Sequence, residues 1–147
     1  GHVFLKAAMR REGAVYGGEL SAHHYFRDFM ACDSGMIPWL LVAGLVSRSG
    51  ISLAGLASAL RRNFPSSGEI NFPVPDPAAM LARAEAALGP EAKGFDRIDG
   101  LSLDFGDWRA NLRASNTEPL LRLNVEARGD RGLVDAGVAR LRDLIEG

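Results

Sequence analysis

The apolar positions of this chain follow two kinds of spacing, and the change from one to the other divides the sequence near residue 65. In the first stretch the spacing is mostly helical. Val3, Phe4, Ala7 and Ala8 line one side of a segment from His2 to Arg11, with Gly13 available as a C-terminal stop. Met36, Ile37, Leu40, Leu41, Leu45 and Val46 belong to a nearly uncharged run that Asp33 or Ser34 can cap, and so little charge predicts a helix buried on most sides. Ser52 opens a further helix, whose Leu53, Leu56, Ala57, Leu60 and Phe64 share a face, with Arg61 and Arg62 near the end where cations suit the dipole. Between the first two helices lie a short strand at Ala14-Val15-Tyr16, a glycine-led polar loop, and a second strand in the aromatic run Tyr25 to Phe29.

Pro65-Ser66-Ser67-Gly68 interrupts the helical pattern just before an alternating one begins, which places a hinge there and gives two domains, 1–65 and 66–147. Ile70, Phe72 and Val74 alternate with polar residues, so Glu69 to Val74 reads as a strand, with Pro73 near an edge or at its end. Asp76-Pro77 starts a helix with Met80, Leu81, Ala84, Ala87 and Leu88 on one face, and Gly89-Pro90 stops it. After a turn at Ile98-Asp99-Gly100-Leu101, the runs ending in Phe105 and Leu112 predict a hairpin. A further strand points Leu121, Leu123 and Val125 one way and Arg122, Asn124 and Glu126 the other. A last helix carries Val134, Val138, Leu141 and Ile145. The order β-α-β-β-β-α predicts a four-stranded antiparallel sheet with helices over one face, following a partial α/β domain.

Composition narrows the function classes. The 17 basic and 18 acidic residues leave a formal charge of −1 without a basic cluster that could track a nucleic-acid backbone, so nucleic acid is not an expected partner. A single cysteine, Cys32, allows no intramolecular disulfide and no cysteine-rich zinc site, which suits a reducing, cytoplasmic setting. The most apolar run, Met36 to Val46, is too short to span a bilayer, and no signal-peptide pattern is present, so no membrane is expected. The chain opens abruptly on Gly1-His2 inside a helix-forming segment, as a piece of something longer would.

Two polar loops carry the candidate chemistry. Arg113-Ala114-Ser115-Asn116-Thr117-Glu118-Pro119 sets a guanidinium, two hydroxyls and an amide between two strand-like runs. The arginine fork matches two phosphate oxygens, and the hydroxyls, amide and backbone N–H groups can donate to the rest. By residue types alone the loop is equally a polar turn with Asx and Ser/Thr caps. Arg122, on the polar side of the next strand, could add charge or make an ordinary cross-strand ion pair. Gly18-Glu19-Leu20-Ser21-Ala22-His23 places a carboxylate, a hydroxyl and an imidazole behind two glycines, a set suited to gripping sugar hydroxyls, although such a loop taken alone is more often an ordinary surface feature.

The two loops together resemble those of the α-D-phosphohexomutases, the phosphomannomutase/phosphoglucomutase family. Arg-x-Ser-Asn-Thr-Glu-Pro is similar to the phosphate-binding loop of the fourth domain, and Gly-Glu-x-Ser-x-His to the sugar-binding loop of the third. The resemblance covers the whole chain, with 1–65 as the C-terminal half of the third domain and 66–147 as the complete fourth. It implies that Glu19 and Ser21 bind ring hydroxyls, that His23 lies near the reacting end, and that Arg113, Ser115, Asn116 and Thr117 hold the phosphate that is not being transferred. Gly1-His2 resembles a Gly-His whose histidine approaches the substrate, which makes His2 a second candidate beside His23; the plain alternative is a helix-start histidine. Leu20 and Ala22 replace the Met and Gly frequent in that loop, and Ala22 restricts it more than glycine does. Asp33-Ser34-Gly35 resembles a helix-opening Asp-x-Gly and is read as a cap.

The family's phosphoserine loop and acidic metal loop have no counterpart here, and Gly129-Asp130-Arg131 matches only the tail of the metal loop. The resemblance therefore implies a parent isomerase that moves a phosphoryl group between C1 and C6 of glucose or mannose through hexose 1,6-bisphosphate. Mg²⁺ and the donor serine would sit in N-terminal domains outside this chain, leaving this chain alone inactive. A non-catalytic phosphosugar-binding or regulatory module is the competing expectation.

Overall fold

The computed structural model describes residues 2–19 and 21–147. Gly1 of the Gly1-His2 pair and Leu20 of the sugar-type loop lie outside the described residues. The chain forms two compact units, Gly1–Leu56 and Ala57–Gly147.

In the first unit, α1 (His2–Glu12) is followed by three short antiparallel strands, β1 (Tyr16–Gly18), β2 (His24–Phe26) and β3 (Cys32–Asp33), in that order across the sheet. The first strand thus begins at Tyr16, two residues later than its apolar start suggested. Met9, Tyr25 and Ala31 form a small core, with Leu5 and Ala14 packed against it. Gly17 makes room for it, because a Cβ there would lie 2.8 Å from Met9 Sδ.

Next come α2 (Met36–Ser49) and α3 (Leu53–Asn63). Ser34 Oγ accepts from the Ile37 N–H and Ser52 Oγ from the Gly55 N–H, so serines supply orphan-donor partners at both helix starts. The expected burial of α2 is not found: none of its residues is buried, and Trp39 is 62% exposed. Apolarity tells how much surface a helix needs covered, and no described element of this unit covers it. Among the described residues no single helix is long and apolar enough to cross a membrane, and α2 and α3 bend by 95° at their break.

The second unit holds the larger core. β4 (Ile70–Pro73), β5 (Gly94–Asp96), β6 (Leu101–Asp104), β7 (Trp108–Ala114) and β8 (Leu120–Ala127) form one antiparallel sheet in the order β4-β8-β7-β6-β5. The sheet has five strands where four were expected. The additional strand, β5, is a three-residue edge with no apolar alternation to announce it, and it is held by pairing of Gly94 to Asp96 with Asp104 to Ser102. Pro73 sits in the opposite edge strand, where its missing N–H costs no ladder bond. α4 (Pro77–Leu88) and α5 (Arg131–Glu146) lie over one face. Asp76 Oδ1 caps α4 through the Ala79 N–H at 3.0 Å. Asp130 caps α5 through the Gly132 N–H, which gives the Gly129-Asp130-Arg131 segment a structural role.

Strand alternation decides which face is which. Leu101, Leu103, Ala110, Leu112, Leu121, Leu123 and Val125 face the helices and are almost fully buried, together with Ala84, Leu88, Val134 and Leu141. Arg109, Asn111, Arg113, Arg122, Asn124 and Glu126 lie at the alternate positions and form an open polar face. The Pro65–Ser67 segment extends this sheet: the Ala127 N–H donates to Pro65 O, the Ser67 N–H to Val125 O, and the Val125 N–H to Ser67 Oγ.

Gly100 makes the turn before β6 possible. It adopts φ +78°, and a Cβ there would lie 2.1 Å from Leu112 O and 2.9 Å from Arg113 Cα. Gly100→Ala should therefore lower stability by about 2–4 kcal/mol, from left-handed strain plus a backbone clash. Gly94→Ala, where nothing lies within 4 Å, should stay within about 0.5 kcal/mol. Urea unfolding followed by circular dichroism measures both, and equal midpoints would refute the close-approach reading.

Candidate functional site

The first candidate cluster sits at the turn between β1 and β2. The pairs Tyr16↔Phe26, Gly17↔Tyr25 and Gly18↔His24 bring the ends of the loop together. The Glu19 N–H donates to His23 O and the Ala22 N–H to Glu19 O, both at 3.0 Å. Ala22 closes this turn at φ +62°, a region a non-glycine residue enters at a cost.

The turn collects three predicted side chains. Ser21 Oγ lies 3.0 Å from Glu19 Oε2 and 2.8 Å from His23 Nδ1, and His23 Nδ1 is 3.7 Å from Glu19 Oε2. A serine hydroxyl has one proton. If it donates to Glu19, His23 Nδ1 must carry the hydrogen of the other contact; if it donates to His23, Glu19 Oε2 is free for another donor.

Two further residues complete the cluster, and sequence reasoning gave neither this role. Tyr25, only 2% exposed, donates its hydroxyl to Glu19 Oε1 at 3.1 Å. Asp33 accepts the His24 N–H through Oδ1 at 3.1 Å and places Oδ2 4.0 Å from His23 Nε2. Asp33 was read only as a helix cap, because the signal for its position is the pairing of β2 with β3, where it stands opposite Tyr25. His24 lies apart from the cluster, its Nδ1 2.7 Å from the Tyr16 hydroxyl and its ring stacked on Tyr16. His2, exposed at the start of α1, makes no hydrogen bond or ion pair with Glu19, Ser21 or His23 among the described residues.

The second cluster lies where β7 turns into β8. The Ser115 N–H donates to Leu120 O at 2.9 Å and the Leu120 N–H to Glu118 O at 2.8 Å, while the Val74 N–H bonds Pro119 O at 3.1 Å. Inside the turn, Ser115 Oγ lies 3.4 Å from both Thr117 Oγ1 and the Thr117 nitrogen. Asn116 is exposed at the tip. Arg113, one residue from the end of β7, donates toward Asp99 Oδ2 at 3.4 Å and Glu69 Oε2 at 3.5 Å. Glu69 also reaches Arg122, with Oε1 3.7 Å from Nη1.

Chemically, the first cluster offers a carboxylate with unused acceptor capacity beside a hydroxyl and an imidazole, which suits a polyhydroxylated ligand. The second offers guanidinium, hydroxyl and backbone donors, which suits an oxyanion. Among the described residues, no three His, Cys, Asp or Glu side chains come together as a metal site.

Burial, first, and the bond to Glu19, second, raise the Tyr25 phenol above its ordinary value, with the charges of Glu19 and Asp33 adding to the effect. The folded state therefore resists ionising Tyr25. The stability this represents is complete below about pH 10 and is lost as pH rises through the elevated value. Glu19→Gln should bring the phenol part of the way back down, since burial remains. An ultraviolet pH titration of the Tyr16→Phe background, with and without Glu19→Gln, reads this shift directly; identical titration curves would deny the Glu19 contact.

Residues 1–64 match the family pattern described as "Phosphoglucomutase/phosphomannomutase, alpha/beta/alpha domain III", and residues 69–144 match "Phosphoglucomutase/phosphomannomutase, C-terminal domain". The chain is 58% identical over 147 residues to a protein of Xanthomonas campestris pv. campestris named "Phosphohexose mutases", covering all of this chain and 33% of that one. It is 58% identical over 145 residues to a phosphomannomutase of Salmonella montevideo, covering 99% of this chain and 32% of the relative. A crystal structure of a phosphoglucomutase/phosphomannomutase family protein from Burkholderia thailandensis superposes with a TM-score of 0.69 at 26% identity, over 99% of this chain and 31% of that one. The chain thus spans about a third of the length of the curated relatives it matches. With both units matched in order and the polar turns of each built as described, the chain belongs to the phosphoglucomutase/phosphomannomutase family.

Proposed function

We propose that this chain supplies the sugar grip and the phosphate grip of a phosphohexomutase that interconverts hexose 1-phosphate and hexose 6-phosphate of the glucose and mannose series. Glu19 and Ser21 hold ring hydroxyls, His23 lies beside the reacting end, and His2 is a second histidine available from α1. Arg113, Ser115, Asn116 and Thr117 hold the phosphate that is not being transferred. The donor serine and Mg²⁺ belong to other parts of the enzyme, and a hexose 1,6-bisphosphate links the two half-reactions. The sugar grip belongs to residues 1–65 and the phosphate grip to residues 66–147.

The supporting observation is the β7–β8 turn, where a part-buried arginine stands two residues before a pair of hydroxyls 3.4 Å apart. Arg113 meets carboxylates only at 3.4–3.5 Å. Strong charge-assisted hydrogen bonds run roughly 2.7–2.9 Å, so a phosphate able to dock bidentately on the fork can displace these partners. On the sugar side, Glu19 keeps about two of its roughly four acceptor sites after Tyr25 and Ser21 are served, which matches one pair of neighbouring hydroxyls.

Arg113→Ala should weaken phosphosugar binding by about 1.5–3 kcal/mol, the range for hydrogen bonds to a charged group. Arg113→Lys should restore part of that, keeping charge but losing the planar fork. Calorimetric titration with a hexose 6-phosphate checks both, with thermal melts as the folding control; equal affinity in all three proteins would refute the phosphate-anchor assignment. The chain by itself should show no mutase turnover with Mg²⁺ and a hexose 1,6-bisphosphate present. A coupled assay above background would contradict this.

A further inference from the structure

Arg61 and Arg62 lie in the last turn of α3, and Arg131 begins α5. The Gly129 N–H donates to Asn63 O at 2.8 Å and the Ala127 N–H to Pro65 O at 3.0 Å, which holds the end of α3 against the turn between β8 and α5. The three arginines therefore border one open pocket of about 660 Å³, with Phe64, Ser66 and Gly129 among its other walls and no carboxylate in its lining. That volume falls within the roughly 300–1,000 Å³ of small-molecule sites. The pocket stands beyond Ala127, at the far end of β8 from the Arg113 turn, about 17 Å along the strand from Arg122.

Helix stability accounts for only part of this charge. Arg61 and Arg62 suit the C-terminal end of α3, but Arg131 occupies the first turn of α5, where the dipole disfavours a cation and no acidic residue of that turn offsets it. Its partner Asp135 stands four residues C-terminal to it, the weaker orientation for a helical ion pair. Arg131 Nε meets Asp135 Oδ1 at 2.9 Å and Nη1 donates to Ser66 O at 3.1 Å, which leaves Nη2 unused. Arg61 and Arg62 are exposed and make no side-chain hydrogen bond or ion pair among the described residues. The other nearby acid, Asp130, is engaged with the Gly132 N–H. Ser66 Oγ accepts the Gly68 N–H at 3.1 Å, so its own proton is free to donate. Phe64, 58% exposed, leaves an aromatic ring open beside the guanidinium groups.

We infer that this pocket binds a nucleoside diphosphate, whose two phosphates engage Arg61, Arg62 and Arg131 while its base stacks on Phe64. Guanidinium forks match phosphate oxygens bidentately, and a diphosphate offers enough oxygens to serve several forks at once. An anion without a ring would leave Phe64 uncovered. A planar base covers it, and base–aromatic stacking tolerates any base. The charge is confined to one pocket and does not continue as a track, so the ligand is a single nucleotide and not a strand. The site is separate from the phosphate grip proposed above and does not depend on it.

Calorimetric titration of the 147-residue chain in an Arg113→Gln background, with ADP, GDP and inorganic pyrophosphate, tests this while keeping the other candidate phosphate site out of the signal. Both nucleotides should bind saturably below about 1 mM, and pyrophosphate at least about fivefold more weakly for want of a ring. Arg61→Gln combined with Arg62→Gln should weaken all three ligands about tenfold or more. Arg131→Gln should do the same, with a thermal melt as control because it also holds Ser66; if that variant unfolds, the Arg61 and Arg62 pair, which holds no other part of the fold, decides the matter. Phe64→Leu should weaken ADP and GDP at least about fivefold and leave pyrophosphate unchanged. No saturation by either nucleotide, or affinities that the Arg61 and Arg62 pair does not move, overturns the site. Pyrophosphate binding as tightly as ADP, with Phe64→Leu without effect, overturns the nucleotide in favour of a bare anion.

Discussion

Seven consecutive antiparallel pairs, from Trp108↔Ala127 to Ala114↔Leu121, fix the register of β7 against β8, and the rest of the second unit depends on that register. Side chains alternate with a period of two, so one choice sends Leu112, Leu121, Leu123 and Val125 to the helices and Arg113 and Arg122 to the open face. A slip of β8 by one residue would bury the Arg122 guanidinium and expose Leu121, Leu123 and Val125. Burying even one fully apolar side chain is worth about 1.5–3 kcal/mol, and an unpaired charge in the core costs far more. The position of the candidate phosphate site is thus a by-product of core formation. Arg113 and the turn beyond it are delivered by the same pairing that fills the core.

The first unit works at a smaller scale. Its core of Met9, Tyr25 and Ala31 is too slight to specify much by packing, and polar contacts take over. Tyr25 is buried by its ring while its hydroxyl anchors Glu19, so one residue links core and loop. Asp33 secures the other side of the loop: paired opposite Tyr25, it accepts the His24 N–H on its side-chain Oδ1. The Glu19–Ser21–His23 geometry accordingly rests on two side chains from outside the loop itself.

In the second unit the strands that could be read in advance were β4 and β6 to β8, because alternation is written into the sequence. β5 was invisible: Gly94-Phe95-Asp96 has no alternation, all three residues are exposed, and only pairing with β6 makes it a strand. Helix α2 was legible as a helix, but its burial was not, since burial depends on what lies against it. The two loops were found by residue type, yet their outside partners were not. Glu69 lies 44 residues from Arg113 in the chain and meets it only because β4 pairs with β8. Asp99 is nearer in sequence, but its approach depends on the turn that Gly100 permits against the backbone of Leu112 and Arg113.

The ion contacts of the second unit fall into two groups by length. Arg97 with Glu85, Arg140 with Glu91 and Arg109 with Glu126 make close contacts, the last at 2.6 Å, and Arg97 and Glu85 each hold the other charged, the arginine raised and the carboxylate lowered from its ordinary value. Those pairs join strands or helices that have no reason to separate. Around Arg113 and Arg122 every contact is 3.4 Å or longer. At an effective dielectric near 20, opposite charges about 4 Å apart still attract by about 4 kcal/mol before desolvation is counted. Such distances are enough to restrain two guanidinium groups without supplying the short, aligned hydrogen bonds that a planar fork can make. At the proposed phosphate site such loose contacts can be exchanged for an incoming anion, whereas tight internal pairs would first have to be broken.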